Sequence, residues 1–398
     1  MRILILPSAY PSGDNDFAGA FIRDQAAVIA MRHEVTVAAP LLLSLKAILT
    51  GRTATRSTTN SAVPSTGIKR PSVLTIRIPN LTNRWERLTY ALWRQCMSRA
   101  LFKRFDADPP DLIHAHFVRP AGTVAARLSK RWERPTLLTE HSGPFKVQLR
   151  TNWIRRETTS TLHSVDQVLA VSPALRDSII SEIPDIRPLV LGNVLDDSFF
   201  VPPSERKSTG IFRFLFVGRL VPIKGLDVLL LAAAELKARE PKNWRLDIAG
   251  DGPLRVALGR TITELGLESH VAFLGSLDRR GVLRQMQLSD VFVLPSRAET
   301  FGVVLIEAMG CGVPVIACSC GGPSWVVDSD SGVLVPPEDS HRLQEAMFDL
   351  LTRRIELSAG QVRASAVRRF GRTTWLDQYD LTIRKLVDAT SRSDSVPS

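Results

Sequence analysis

Short apolar runs alternate with amphipathic stretches through the first half of the chain. Runs at 3–6, 35–39, 74–78, 112–115, 136–139 and 167–171 read as strands, and 21–31 and 122–130 carry helical spacing. Strand and helix in regular alternation predict a parallel sheet covered by helices. A polar, proline-containing stretch at 201–210 reads as a linker. The same grammar then restarts, with strands at 212–217, 245–249, 271–274, 291–294, 315–317 and 332–335 and helices at 225–239 and 303–309. The expected fold class is therefore α/β, with Rossmann-like domains at 1–200 and 201–370 and a final segment, 371–398, that crosses back as a helix and frays at its end. In open parallel sheets ligands sit beyond the carboxyl ends of the strands, which directs attention to the loops there.

Composition supports that division. At 398 residues with 44% hydrophobic content, the chain can fill two cores. The four cysteines, Cys96, Cys311, Cys318 and Cys320, show no paired zinc spacing, which suits a reduced compartment. The first apolar run is too short for a secretory leader, and no run reaches the ~18 apolar residues of a membrane span, so the expected location is cytoplasmic. Residues 1–200 hold 26 Lys and Arg against 17 Asp and Glu, whereas the remainder holds 25 against 23. A basic first half points to an acidic partner.

The richest chemistry lies between Glu299 and Glu307. A strand, a turn, a loop containing Gly302 and a helix opening near Val303 would aim free N–H groups and a positive dipole end at one spot, a ready site for a pyrophosphate. Glu299, just before that helix, can accept hydrogen bonds from sugar hydroxyls. Glu307 shares a helical face with Val303 and suits a ribose diol. Earlier, a strand delivers Gly218 and Arg219 into a loop, and Lys224-Gly225 opens the next helix. A guanidinium and an ammonium so spaced can clamp a diphosphate and offset charge on a leaving group.

Histidines supply the second cluster. His141 follows a strand in Thr139-Glu-His-Ser-Gly143, where its ring can reach a ligand. His114 and His116 flank Ala115 at another strand end and are expected on opposite faces, with His116 either lining an acceptor pocket or enclosed in the core. Asp328-Ser-Asp330 reads as a turn rather than a metal–diphosphate motif, Asp251 as structural, and Cys318 and Cys320 as packing.

Glu299, Phe301, Gly302, Glu307 and Ala308 match the pattern E-x-F-G-x-x-x-x-E-A, and Gly218, Arg219, Leu220, Lys224 and Gly225 match G-R-L-x-x-x-K-G. In these motifs the chain resembles the retaining glycosyltransferases of family 4, the group 1 transferases. That resemblance covers nearly the whole chain and implies a GT-B fold, two Rossmann-like domains with parallel sheets facing across a cleft. It implies donor binding by Gly19, Arg219, Lys224, Phe301, Gly302, Val303, Val304 and Glu307, with His141 and Glu299 at the reacting sugar. It also implies no metal and no cofactor. The partners would be a UDP- or GDP-linked sugar and a glycan or lipid-linked acceptor, with no nucleic acid. Gly19 stands between alanines where the family usually has a double glycine, and Asn193 departs from the commoner asparagine-glycine form.

The segment from Arg84 to Arg104 is a helix mixing Trp85, Trp93 and Phe102 with basic residues, which suits peripheral contact with an anionic membrane at the inner face of the cell. Three rival readings remain open. They are a sugar-nucleotide epimerase of the same fold, a glycoside hydrolase using Glu299 and Glu307, and a non-catalytic lipid- or nucleic-acid-binding scaffold.

Overall fold

The apolar runs become two wholly parallel sheets in a computed structural model that describes residues 1–11, 19–44, 70–80, 86–199, 210–239, 241 and 243–393. Most of the linker, 201–209, together with Ala18, Arg84, Trp85 and residues 394–398, lies outside these. Contacts divide the chain into two units. The first comprises Met1–Val171, Arg176–Leu191 and Leu376–Ser398, and the second Ser172–Leu175 and Gly192–Trp375.

In the first unit the strands are β1 (Arg2–Pro7), β2 (Glu34–Ser44), β3 (Ser72–Asn80), β4 (Leu112–His116), β5 (Thr136–Glu140), β6 (Gln167–Ala170) and β7 (Leu189–Val190). Their order is β3-β2-β1-β4-β5-β6-β7. The central strands β4 and β5 are buried at every position, so their polar members, His114, His116, Thr136, Thr139 and Glu140, are enclosed along with the apolar ones. Helices α1 (Ala20–Ile29), α2 (Glu86–Phe105), α3 (Thr123–Trp132), α4 (Asn152–His163) and α5 (Pro173–Glu182) connect them. The two-residue β7, too short to show a periodicity, is absent from the sequence reading.

The second unit has β8 (Phe212–Val217), β9 (Trp244–Ala249), β10 (Val271–Gly275), β11 (Val291–Leu294), β12 (Val315–Cys318) and β13 (Gly332–Val335), in the order β10-β9-β8-β11-β12-β13. Its helices are α6 (Leu226–Ala238), α7 (Arg255–Glu264), α8 (Arg279–Leu288), α9 (Val303–Gly310), α10 (Pro323–Val326), α11 (Ser340–Leu351) and α12 (Ala359–Phe370). The last helix, α13 (Arg372–Ser393), begins in the second unit and belongs to the first from Leu376 onward. There Tyr379 is wholly buried and Asp380 accepts from Arg32 and meets the ring of His33.

Strand order reverses between β1 and β4 in one sheet and between β8 and β11 in the other. These switch points are where an open parallel sheet leaves a crevice. Helix starts sort accordingly. Thr151, Asp278, Asp339 and Ser358 cap α4, α8, α11 and α12 with side-chain oxygens. The helices that follow β8 and β11, α6 and α9, start instead on left-handed glycines, Gly225 and Gly302, with no side-chain cap, as α1 does on Gly19. No side chain caps their first turns, although the N–H groups of Ile22 and Leu305 already donate to the Gly19 and Gly302 carbonyls.

Candidate functional site

In the second unit, Gly225 adopts φ 65°, and a Cβ there would stand 2.1 Å from the Pro295 carbonyl oxygen. That approach seats the Lys224 loop against the turn after β11. Arg297 secures it: its N–H donates to the Ile223 carbonyl, and its guanidinium meets Asp227, Glu338 and the Pro222 carbonyl. Hydrogen bonds to Asp227 and Glu338 push the Arg297 pKa up, so it is a permanent charge. The outcome is that Lys224 Nζ lies 2.5 Å from Glu299 Oε2, both side chains part-buried.

The Glu299 backbone is held like a short strand against Gly321. Its N–H donates to the Cys320 carbonyl at 3.3 Å, and Gly322 N–H donates to the Glu299 carbonyl at 2.9 Å. A Cβ on Gly322 would lie 2.4 Å from Phe301 Cα, so only glycine permits this seat. Gly302 follows at φ 89°, and Val303 and Val304 open α9 half-exposed. Arg219 is exposed in the loop after β8, and Glu307 is half-buried one turn into α9.

The Phe301 ring takes a different place from the sequence expectation of a donor contact. It is 2% exposed and packs edge-on against Trp325 and Phe370, with centroids at 6.1 and 5.5 Å. It anchors the loop from below, leaving only its backbone for a ligand. Asp328, read as part of a turn, accepts from Ser365 and Arg369. Burial, and then the neighbouring thiol or carboxylate, push the Cys318 and Cys320 pKa values up to about 12 and about 11, so both stay as thiols.

In the first unit, His141 lies where β5 ends. The Glu140 carboxylate accepts from the N–H groups of Val118, His141 and Ser142 at 2.8, 2.9 and 2.6 Å, which fixes the loop. Burial pushes the Glu140 pKa up, and those donors pull it back. The His141 ring packs against Phe21 and Phe117, with centroids at 4.6 and 5.1 Å. Phe117 holds φ 72°, a strained value for an aromatic residue, with its N–H on the Thr139 carbonyl.

His114 and His116 share one face of β4, contrary to the expectation of opposite faces. Side chains two apart along a strand point the same way, and their ring centroids lie 4.3 Å apart. His116 is fully buried and contacts His141, Nδ1 to Nε2 at 3.0 Å, so it lines no open surface. Burial depresses all three imidazoles, His114 and His141 to about 3 and His116 well below its ordinary value. Gly19 stands at φ 76°, and a Cβ there would meet the Ala9 carbonyl oxygen at 2.4 Å.

The sequence reading missed Arg297, Glu140 and the Gly321-Gly322 pair. Of these only the double glycine after β12 carried a legible signal, close backbone approach.

Known proteins resolve the family. The profile of glycosyltransferase family 4 matches residues 19–199, and that of the glycosyl transferases group 1 matches residues 199–365. A D-inositol 3-phosphate glycosyltransferase of Catenulispora acidiphila is 32% identical over 310 residues, 71% of each chain. The chain belongs to the group 1 glycosyltransferases. D-rhamnosyltransferase WbpZ of Pseudomonas aeruginosa is 29% identical over 66% of this glycosyltransferase and 70% of its own length. Among solved structures, Anabaena HepE in complex with UDP superposes with TM-score 0.71 at 23% identity, covering 97% of this chain and all of that one. Sucrose-phosphate synthase from Thermosynechococcus elongatus gives 0.74 at 21%, over 98% of this chain and all of that one. These likenesses establish the GT-B fold.

Proposed function

We propose that this glycosyltransferase moves a hexosyl group from a UDP- or GDP-linked sugar to a glycan or lipid-linked acceptor, with retention at the anomeric carbon and without a metal. The observation that carries the reading is the Lys224–Glu299 pair beside the uncapped start of α9. A nucleoside diphosphate would draw Lys224, Arg219 and the first-turn N–H groups of α9 onto its phosphates. Glu299, released from the ammonium, would then accept from sugar hydroxyls. Glu307 would take the ribose, and His141 a sugar hydroxyl. Solved HepE complexes with UDP and glucose lend support to the donor class. Cationic groups on both phosphates would stabilise the departing diphosphate. The acceptor hydroxyl would enter on the leaving group's face and pass its proton to the departing phosphate oxygen.

A panel of UDP-, GDP- and ADP-sugars, followed by thermal shift and then by transfer with chelator present, tests this reading. One sugar should stabilise the protein and be transferred with its anomeric configuration kept. Chelator-sensitive turnover or an inverted product would overturn it, and conversion of the donor to an epimer without acceptor would favour the epimerase.

We propose also that α2 touches anionic lipid through charge alone. Trp93, Met97 and Leu101 are buried in its own unit, so its apolar side is already used. No described helix is long and apolar enough to cross a membrane. Neutralising Arg94, Arg99 and Lys103 together should weaken sedimentation with phosphatidylserine vesicles, by about 1 kcal/mol for each charge. Unchanged binding would return α2 to an ordinary domain helix.

A further inference from the structure

The His141 ring can present either a proton or a lone pair to a ligand, and the groups behind it decide which. Its Nε2 faces His116 Nδ1 at 3.0 Å. Among the described residues no protein group is hydrogen-bonded to its Nδ1, which is therefore the nitrogen open to a ligand. His116 in turn is fully buried, and among the described residues its Nε2 has no partner. Behind it lies His114, whose Nε2 meets Thr139 Oγ1 at 2.8 Å and whose Nδ1 meets the Tyr379 hydroxyl at 3.2 Å.

Two proton arrangements are possible for the His116–His141 contact. If His141 Nε2–H donated, the single proton of His116 would sit on Nε2, an N–H sealed from water with nothing to receive it. If His116 Nδ1–H donates, the orphan is a bare ring nitrogen. Orphaned buried N–H groups are the rarer outcome in folded proteins, because a donor without an acceptor loses its whole solvation. Charging His116, so that both nitrogens carry protons, would bury an unpaired cation between two other imidazoles.

We infer that His116 is a positioning residue that donates Nδ1–H to His141 Nε2 and thereby locks His141 as the Nδ1–H tautomer. His141 then offers a hydrogen-bond donor to a sugar oxygen and does not act as a base. Depressed pKa values for all three imidazoles keep the column neutral, in accord with this arrangement. Phe21 and Phe117 hold the ring plane, so the donor direction is set before a ligand arrives. The inference rests on the proposed role of His141 at the sugar, but the tautomer itself does not.

The test has two arms. Long-range proton–nitrogen NMR on the full chain with labelled histidine reads which ring nitrogen of His141 is protonated, with the signal assigned by His141→Gln. Protonated Nδ1 and bare Nε2 are expected; a proton on Nε2 overturns the inference whatever the enzyme transfers. In the second arm, once a donor has been found, kcat is compared for the wild type, His116→Ala and His116→Asn. The alanine variant should lose about tenfold to a hundredfold in kcat, by analogy with groups that orient a metal-bound histidine. The asparagine amide can donate from nearly the place of Nδ1 and should restore most of the rate and the His141 tautomer. Wild-type kcat in His116→Ala, or an asparagine variant no better than alanine, overturns the positioning role. Failure of every nucleotide sugar defeats the proposed function instead and leaves the NMR arm standing.

Discussion

At the ends of β4 and β5 the groups of interest are buried, neutral imidazoles, whereas in the loops after β8 and β11 they are an ammonium and a carboxylate partly open to water. Each place includes a strand that borders a switch point of its parallel sheet, β4 in one and β8 and β11 in the other. What differs is the load that the surroundings can carry. The β4–β5 ends are covered by α1, the strained Phe117 segment and α13, so a charge there would go unsolvated, and histidines remain uncharged. The loops after β8 and β11 are braced by Arg297 and by glycine contacts, and charged side chains there keep some water and each other. Neutral groups fixed in a dry place give direction to a hydrogen bond. Charged groups in a half-open place can exchange one partner for another, as the Lys224–Glu299 pair would on meeting a diphosphate.

That contrast is open to attack at several points. The largest effect should come from acid. A histidine whose folded pKa lies below its unfolded value leaves the unfolded chain binding more protons, so stability is full above the unfolded pKa and is lost as pH falls through the window toward the folded one. For His114 and His141 the window runs from about 6.5 down to about 3. At pH 5 the cost is roughly 2 kcal/mol for each buried imidazole. Glu140, raised by burial, works in the opposite sense. Calorimetry from pH 7 to 5 should show the first unit melting earlier; a melt independent of pH would mean that these rings are not dry.

Next in size are Glu299→Ala and Lys224→Ala. Each should lower kcat by about a hundredfold to a thousandfold, the range for loss of one group that stabilises a transition state. Because the two are paired, the double variant should lose less than the product of the single losses. Additive losses, or near-normal turnover, would separate the pair from the chemistry.

Gly225→Ala should destabilise the second unit by about 1–3 kcal/mol and weaken nucleotide binding, since a left-handed backbone and the Pro295 carbonyl both oppose a methyl group. Unchanged unfolding in guanidinium would show that the loop relaxes. The smallest effect expected is that of Tyr379→Phe, which removes the hydroxyl facing His114 and should cost about 1 kcal/mol in unfolding free energy. A much larger loss would make α13 more central to the histidine column than its contacts suggest.

The order of elements was legible because covered parallel strands call for short, mostly apolar runs, and β8, β11 and β13 fall where the runs do. The short β7 escaped because two residues carry no period. Glu299, Gly302 and Lys224 were legible because a loop that presents a carboxylate, a helix start and an ammonium needs those residue types at a fixed spacing. Phe301 was misplaced because a local motif does not reveal which side of its loop a ring faces; the cluster of Trp325 and Phe370 settles that. Arg297 and Glu140 were invisible for a related reason. Their partners are backbone groups and residues up to 75 positions away, such as Pro222.

By itself the sequence determined the strand pattern, the two-domain plan and the residue types at both strand-end clusters. Those are properties of local spacing, and local spacing is written in the chain. The tertiary structure alone decided that Lys224 answers Glu299, that His114 and His116 stack on one face, and that His116 backs His141. Such contacts join residues from different strands and loops. Burial, which sets the charge state of each group, exists only once those strands have packed.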